Sequence, residues 1–264
     1  DIETRPQYGE GALVTRLGDQ RYVTDSYEDA LGALPEGGAA ELAAAFEEIE
    51  RCVEQVPRES PQDAPRAGEW DATTLQSWAD RWFDTDAAQA TFERMVPGIY
   101  TADPAEISFL FFCYYARTAG GFDMVAGLNE AADSHEAVVV DVQSIARSLA
   151  DELGDRVRYG SPVQRIVHDE AGVTVGTPTD TVTAKYVVVA LPPTLAGRLE
   201  YDPALPSARD ELTQRMPNGA VVKCHLRYER PFWREAGFSG FVEDDRGPAD
   251  YYFDDGHPDG ETGR

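Results

Sequence analysis

The stretch MPNGAVVKCHLRY, residues 216–228, places a lysine at the centre of an apolar run. Lys223 is one of only two lysines in the chain, and Leu226 and Tyr228 continue the apolar pattern after it. The pattern predicts a β-strand. An ammonium group in such a run is costly to bury unless it is paired or has a chemical role. Two interpretations stay open on the pattern alone: Lys223 faces solvent from a half-buried strand, or it faces inward toward a functional site.

The composition indicates an acidic globular chain. Its 264 residues include 48 acidic and 23 basic residues, for a formal net charge of −25, and 42% are hydrophobic. This length allows one or two domains with a sizeable core. The charge disfavours nucleic acid and anionic membranes as partners, and no apolar run is long enough to span a membrane.

The charge and the scarcity of lysine together suggest an environment. An acidic surface with almost no lysine is typical of salt-loving archaea that hold molar salt in the cytoplasm. We therefore expect a cytoplasmic protein that unfolds at low salt, because high salt screens the repulsion among its charges. The chain begins at Asp1 rather than Met, which suggests processing or a piece of a longer protein.

Short motifs with a known mechanism are absent from the sequence. It contains no G-x-G-x-x-G, G-x-x-x-x-G-K or G-x-S-x-G pattern. The three cysteines are an odd number without C-x-x-C spacing, and the four histidines are scattered, so no metal site is predicted. In so acidic a chain, the pairs Asp244-Asp245 and Asp254-Asp255 are expected to be solvated rather than to bind a cation.

Hydrophobic periodicity predicts an α+β fold. A hairpin is expected at 12–17 and 20–23, because Gly18-Asp19 separates two alternating runs. Helices are predicted at 39–56, 73–83 with Asp71 as N-cap, 84–100 with a break near Pro97, 107–116 and 142–153. The helix at 107–116 is apolar on all sides and is expected to be fully buried. Further strands are predicted at 157–159, 163–167, 173–175 and 184–191, the last buried on both faces.

Five segments give the sequence a resemblance to the flavin-containing amine oxidases, the monoamine oxidase family. They are VPRESPQDAPRAGEWDATTLQSW (56–78), TADPAEISFLFFCYYARTAGG (101–121), ADELGDRVRYGSPVQRI (150–166), AKYVVVALPPTLAGRLEYDPALP (184–206) and MPNGAVVKCHLRYERPFWREAGFSG (216–240). The resemblance implies a fragment of a two-domain FAD-dependent amine oxidase. Residues 1–137 and 213–264 would belong to the substrate domain, and residues 138–212 would be a segment of the FAD-binding domain.

The resemblance also implies roles for individual residues. Lys223 falls on the family lysine that holds a water against flavin N5, where a cation would also stabilise charge on the reduced flavin. Residues implied to contact FAD are Val163, Ala190, Leu191 and Pro192. Residues implied to line the substrate cavity, its gate and its wall are Thr91, Met95, Gly98, Ile99, Val125, Ala126 and Tyr251. Ordinary core packing is the alternative for each cavity residue.

The sequence departs from the family pattern at two internal segments and at both ends. Val139-Val140-Asp141 stands where the family has Gly-Gly close to the cofactor, and Glu130-Ala131-Ala132-Asp133 stands where the family has Gly-Gly-Gln. The dinucleotide-binding fingerprint of the family would lie before residue 1. Its last flavin-contacting segment would lie after Arg264. The chain therefore resembles the middle of the enzyme.

The expected reaction is oxidation of a small amine to an imine with O2 as acceptor, giving aldehyde, ammonia and H2O2, in a possible homodimer. A related enzyme is an alternative: an L-amino-acid or polyamine oxidase, or a flavin desaturase. An amino-acid substrate would need an arginine for its carboxylate, and Arg94 and Arg117 are the candidates. A non-catalytic remnant that lacks flavin is the alternative of a different class.

Overall fold

The structure is a computed structural model that describes residues 8–34, 37–127 and 141–257, together with the backbone of residues 4–5 and 138–139. The chain divides into two compact units. Residues 1–140 and 221–264 form the first unit, and residues 141–220 form the second. Helices and β-sheets occur together in the described residues, which confirms the α+β class.

The secondary-structure elements are numbered in chain order. The first part of the first unit contains β1 (Thr4–Arg5), β2 (Ala12–Leu17), β3 (Gln20–Thr24), α1 (Tyr27–Gly32), α2 (Gly38–Glu54), α3 (Ala67–Asp71), α4 (Leu75–Trp82), α5 (Asp86–Tyr100), α6 (Phe109–Ala119), α7 (Phe122–Val125) and β4 (Val138–Val139). The second unit contains α8 (Gln143–Leu153), β5 (Arg165–Asp169), β6 (Gly172–Gly176), β7 (Thr181–Ala184), α9 (Pro193–Ala196), β8 (Glu200–Asp202) and α10 (Ser207–Arg215). The first unit is completed by α11 (Phe232–Glu235), β9 (Phe238–Asp244) and β10 (Tyr251–Tyr252).

The main sheet of the first unit joins the two ends of the chain. Its strand order is β10-β9-β2-β3. The predicted hairpin is confirmed, because β2 and β3 pair antiparallel and turn at Gly18, whose φ is +60°. Strand β9 pairs parallel with β2, and the Asp245 carboxylate accepts the Gly18 N–H at 2.8 Å. The C-terminal strands are thereby fixed to the hairpin.

A helical core lies beside this sheet in the same unit. Buried side chains of α2, α4, α5 and α6 form one hydrophobic cluster, and Phe92, Phe109 and Phe112 are about 1% exposed. Three of these helices begin with a side-chain cap. The hydroxyls of Thr74, Thr85 and Ser108 accept N–H groups from the first turns of α4, α5 and α6.

Three predictions about these helices were wrong. Helix α4 begins at Leu75 with Thr74 as N-cap, not at 73 with Asp71, since the Thr74 hydroxyl satisfies the Ser77 N–H. Helix α5 continues through Pro97 to Tyr100, because the Tyr100 hydroxyl donates to the Phe112 carbonyl at 3.1 Å and fixes that last turn to α6.

Helix α6 is also not buried on every side. Phe111 and Tyr115, one turn apart on the helix, are 47% and 40% exposed. Gly120 ends α6 in the left-handed conformation.

The second unit has a four-stranded sheet and little core. Its strand order is β7-β6-β5-β8, in which β5 and β8 pair parallel. Among the hydrophobic residues of 141–220, only Ile166 and Ala196 are buried. The predicted helix at 142–153 is confirmed as α8, which Gly154 closes. The predicted strand at 157–159 does not form, and Tyr159 is 77% exposed.

Two apolar segments that were predicted as strands form no regular structure. Strand β7 ends at Ala184, and residues 185–191 carry no strand, with Val188 87% exposed. Residues 216–227 likewise carry no regular secondary structure, and Val222 is 88% exposed. A strand forms only against a partner, and the described residues supply no partner strand for either segment.

The expectation that Asp254 is solvated was wrong. Its side chain is 1% exposed and accepts hydrogen bonds from Trp233 Nε1 at 2.7 Å and from Arg234 Nε at 2.6 Å. A paired aspartate can be buried because its charge and lone pairs are satisfied. This contact fixes the segment after β10 to α11. No helix in the described ranges is long and apolar enough to cross a membrane.

Candidate active site

Helix α5 and strand β10 bring together residues that the sequence placed in the substrate cavity. The Tyr251 hydroxyl donates to the Arg94 carbonyl at 3.1 Å. The ring of Tyr251 covers Gly98, so that a Cβ at this position would lie 2.9 Å from Tyr251 Cε2. Glycine at residue 98 therefore permits the close approach of β10 to the last turn of α5.

The other predicted residues of α5 lie on the side of the helix that packs inward. Thr91 and Met95 are 2% and 5% exposed, and Ile99 is partly buried against the hydrophobic cluster. Their spacing of four residues puts them on one helix face. Met95 belongs to the core itself, so a cavity role and a packing role remain compatible with its position.

A buried ion pair next to these residues was missed in the sequence. Glu243 of β9 is 1% exposed, and its Oε1 lies 3.4 Å from Arg94 Nε. Burial raises the pKa of Glu243, and Arg94 opposes the shift. Burial also raises the phenol pKa of Tyr27 and Tyr251, and the nearby Glu243 carboxylate adds to both shifts.

The alternation of side chains along β9 indicates that the Glu243 carboxylate lies on the buried face of the strand. Ser239, Phe241 and Glu243 share one face of the strand, and Ser239 and Glu243 are buried. The sequence interpretation stopped at Asp244-Asp245 and treated the acidic run as solvated. The pairing also bears on Arg94, which was a candidate to hold a substrate carboxylate: its guanidinium already faces Glu243.

The predicted gate residues lie on and after α7. Gly120 and Gly121 both have positive φ angles and precede this short helix. The Glu50 carboxylate accepts the Phe122 N–H at 2.7 Å, which fixes the start of α7 to α2. Val125 is partly buried against the core, and Ala126 is 8% exposed. The departures at residues 130–133 and at Val140 lie outside the described residues.

Lys223 is exposed and belongs to the irregular segment of the first unit. The residues predicted to contact FAD belong to the second unit. Val163 is 37% exposed and lies two residues before the start of β5, and Leu191 is 45% exposed. Ala190 is exposed, and Pro192 is the N-cap of α9. Within the described part of the chain, no group of three or more His, Cys, Asp or Glu could hold a metal ion.

Comparison with known proteins decides the family. Residues 7–263 match the family model described as flavin containing amine oxidoreductase. The chain belongs to this family. A probable flavin-containing monoamine oxidase A of Dictyostelium discoideum is 33% identical over 99% of the chain and 57% of the relative. A flavin-containing amine oxidase of Oncorhynchus mykiss is 35% identical over 78% of the chain and 40% of the relative.

Solved structures agree with the family assignment. A wild-type putrescine oxidase bound to putrescine superposes with a TM-score of 0.87 at 28% identity, covering 99% of this chain and 58% of that protein. Cyclohexylamine oxidase from Brevibacterium oxydans has the same fold, with a TM-score of 0.83 at 23% identity over 99% of this chain and 57% of that protein. The chain thus spans about half the length of the relatives that it matches.

Proposed function

We propose that this chain supplies the central part of an FAD-dependent amine oxidase. The proposal rests on one observation, the match of 99% of the chain to 57% of a probable monoamine oxidase. Residues 1–137 and 213–264 would form substrate domain, and residues 138–212 a segment of the FAD-binding domain. The complete enzyme would convert an amine and O2 to an imine and H2O2, and the imine would hydrolyse to aldehyde and ammonia.

The residues proposed to hold FAD fit one wall of a flavin site. Val163 and Leu191 present exposed apolar surface, and residues 185–191 have backbone groups that pair with no strand of the described residues. Exposed apolar groups suit a flat ring, and open backbone groups suit its polar edges. The bound flavin would supply hydride acceptance from the amine-bearing carbon and electron transfer to O2.

The proposed roles of the other residues follow from their chemistry. The ammonium of Lys223 would hold a water and place positive charge where negative charge develops. Thr91, Met95 and the ring of Tyr251 would orient the amine and exclude water from the reacting carbon. Val125 and Ala126 would limit the size of an entering substrate.

The Arg94–Glu243 pair supports an amine without a carboxylate as substrate. A guanidinium that already faces a carboxylate has less capacity to bind a second one. This favours an amine oxidase over an L-amino-acid oxidase. Arg117, the other candidate, has a buried Nε without a hydrogen-bond partner in the described residues, but none of the proposed cavity residues hydrogen-bonds to it.

The test of the proposed function is Lys223→Met in the full-length protein. We expect slower flavin reduction or reoxidation in stopped-flow measurements with little change in thermal stability, since Lys223 is exposed in the first unit. Arg227→Met is the matched control, because it removes an exposed cation four residues away. Wild-type rates in both half-reactions of the Lys223 variant would refute its role, and a colourless full-length protein would favour a non-catalytic remnant.

The charge of −25 supports a further part of the proposal, a protein that works in the cytoplasm of a salt-loving archaeon. The melting temperature should rise between dilute buffer and about 2 M KCl, because salt screens repulsion among surface charges. An unchanged melting temperature would contradict it. A homodimer is also proposed, and light scattering at the higher salt concentration would test it.

A further inference from the structure

A cavity of about 300 Å³ lies among α2, α3, α4 and the start of α6, within the first unit. Three of the four tryptophans in the chain line it, together with Phe109. None of the residues assigned to the candidate active site lines this cavity. Its volume is at the lower end of the range for small-molecule sites.

The aromatic wall of the cavity is a stack of rings. Trp78 stacks on Phe109 with ring centroids 5.0 Å apart and an interplanar angle of 9°. Trp82 also stacks on Trp78, with ring centroids 5.5 Å apart. Trp78 and Phe109 are buried, whereas Trp82 is only partly buried. Trp82 is therefore the most accessible ring of the stack for a planar ligand.

The polar wall has more donors to offer than acceptors. The indole N–H groups of Trp70, Trp78 and Trp82 donate no hydrogen bond to any described residue, in contrast to Trp233, whose N–H donates to Asp254 at 2.7 Å. None of the three is a buried donor without a partner, so each indole N–H has access to solvent. The cavity therefore has indole donors that a ligand with acceptor atoms would satisfy.

The charged residues that line the cavity also favour a ligand with acceptor atoms. The carboxylates of Glu48 and Glu69 are already paired with Arg51 and Arg66. Arg81 also lines the cavity; it forms no salt bridge within the described residues, and its charge acts on the Glu69 carboxylate without direct contact. A guanidinium matches the geometry of a carboxylate and stacks well on aromatic rings. We propose that this cavity binds a small aromatic carboxylate, with its ring against Trp82 and its carboxylate held by Arg81 and the indole N–H groups.

The test is calorimetric titration of the full-length protein with two probes that share a ring, 2-naphthoate and 2-naphthamide. We expect 2-naphthoate to bind more tightly. Arg81→Gln should weaken its binding about tenfold or more, because a charge-assisted contact is lost. Arg21→Gln is the matched control, an exposed arginine of β3 outside the cavity, and should leave binding unchanged.

Several outcomes of the titration would overturn the proposed carboxylate site. Equal binding of 2-naphthoate to wild type and Arg81→Gln would overturn the proposal, as would no binding to wild type. Equal or tighter binding of the amide would overturn the assignment of a carboxylate. Trp82→Leu should also weaken binding. Arg81 is exposed and its replacement leaves the core intact, so the proposal stays falsifiable if the Trp82 variant fails to fold.

Discussion

Both units of this chain contain apolar segments, but these are buried in the first unit and exposed in the second. In the first unit, α2, α4, α5 and α6 bury their apolar side chains in one cluster. In the second unit, the apolar residues of α8 and of residues 185–191 are exposed, and only Ile166 and Ala196 among its hydrophobic residues are buried. The difference does not lie in hydrophobicity. It lies in whether the described residues supply a partner surface.

A helix satisfies its own backbone, so it needs only side-chain contacts to be stable. A strand needs a neighbouring strand for its N–H and C=O groups. The helices of the first unit find their contacts within 140 residues. The apolar segment 185–191 finds no partner strand in the described residues, and the relatives that the chain matches are nearly twice its length. We therefore expect this segment to be covered in a full-length protein.

The largest effect should come from deleting a core ring of the first unit. Phe112 is 1% exposed and contacts the rings of Phe92, Tyr100 and Phe122. Phe112→Ala should cost about 3–5 kcal/mol of unfolding free energy, measured by denaturant titration of the full-length protein.

The paired variant in the second unit is Val188→Ala, at a residue that is 87% exposed here. If residues 185–191 acquire a partner in the full-length protein, it should cost about 1–2 kcal/mol. A cost below about 0.5 kcal/mol, the usual range for a surface substitution, would show that this segment stays uncovered.

The next effect compares two ion pairs of equal length. Arg234–Asp254 in the first unit and Arg158–Asp180 in the second are both 2.6 Å apart, but the side chains are 9% and 1% exposed in the first pair and 58% and 57% exposed in the second. Asp254→Asn should cost about 3 kcal/mol because it removes the carboxylate charge that faces a buried guanidinium. Asp180→Asn should cost less than about 1 kcal/mol. Equal costs for the two substitutions would show that burial does not determine how much these ion pairs contribute to stability.

The pH dependence of stability provides a second readout of the buried pair. Burial alone would raise the pKa of Asp254, but hydrogen bonds from Arg234, Trp233 and Gly256 N–H outweigh it and hold the pKa below its usual value. Its contribution is therefore present above the unfolded pKa of about 3.9 and lost as the pH falls through the folded pKa. Chemical denaturation of wild type and Asp254→Asn from pH 6 to pH 3 should show the difference between them shrinking only below about pH 4. A difference that shrinks already at pH 5 would contradict it.

Sequence periodicity was sufficient where local contacts decide the structure. It predicted the β2–β3 hairpin, the helix before Gly120 and α8, since turn residues, capping residues and helical spacing act over a few positions. It wrongly predicted strands at residues 184–191 and 216–228. An apolar run indicates a preference for strand but does not show whether a partner strand exists. It was also wrong about Pro97, where contacts between Tyr100 and α6 outweigh a local break.

The candidate site depended on pairing that the sequence did not reveal. The resemblance named Gly98 and Tyr251, which the structure brings into contact across 153 positions of the chain. It did not reveal that Glu243 is buried against Arg94, because burial of an acid depends on a partner from another element. Only the alternation along β9 indicated that the Glu243 side chain faces inward.

The smallest effect tests how tightly the candidate site is packed. Gly98→Ala would gain helix propensity in α5, yet its Cβ would lie 2.9 Å from the ring of Tyr251. That ring also packs near Phe241 and Phe253 and is held by its hydrogen bond to the Arg94 carbonyl, so it has little freedom to move. We expect a net cost of about 1 kcal/mol in thermal or chemical denaturation. Gly68→Ala, in α3 with no atom near the new Cβ, should instead stabilise by about 0.5–1 kcal/mol. Combining Gly98→Ala with Tyr251→Ala should remove the steric cost, and additive effects of the two substitutions would show that the contact is not the cause.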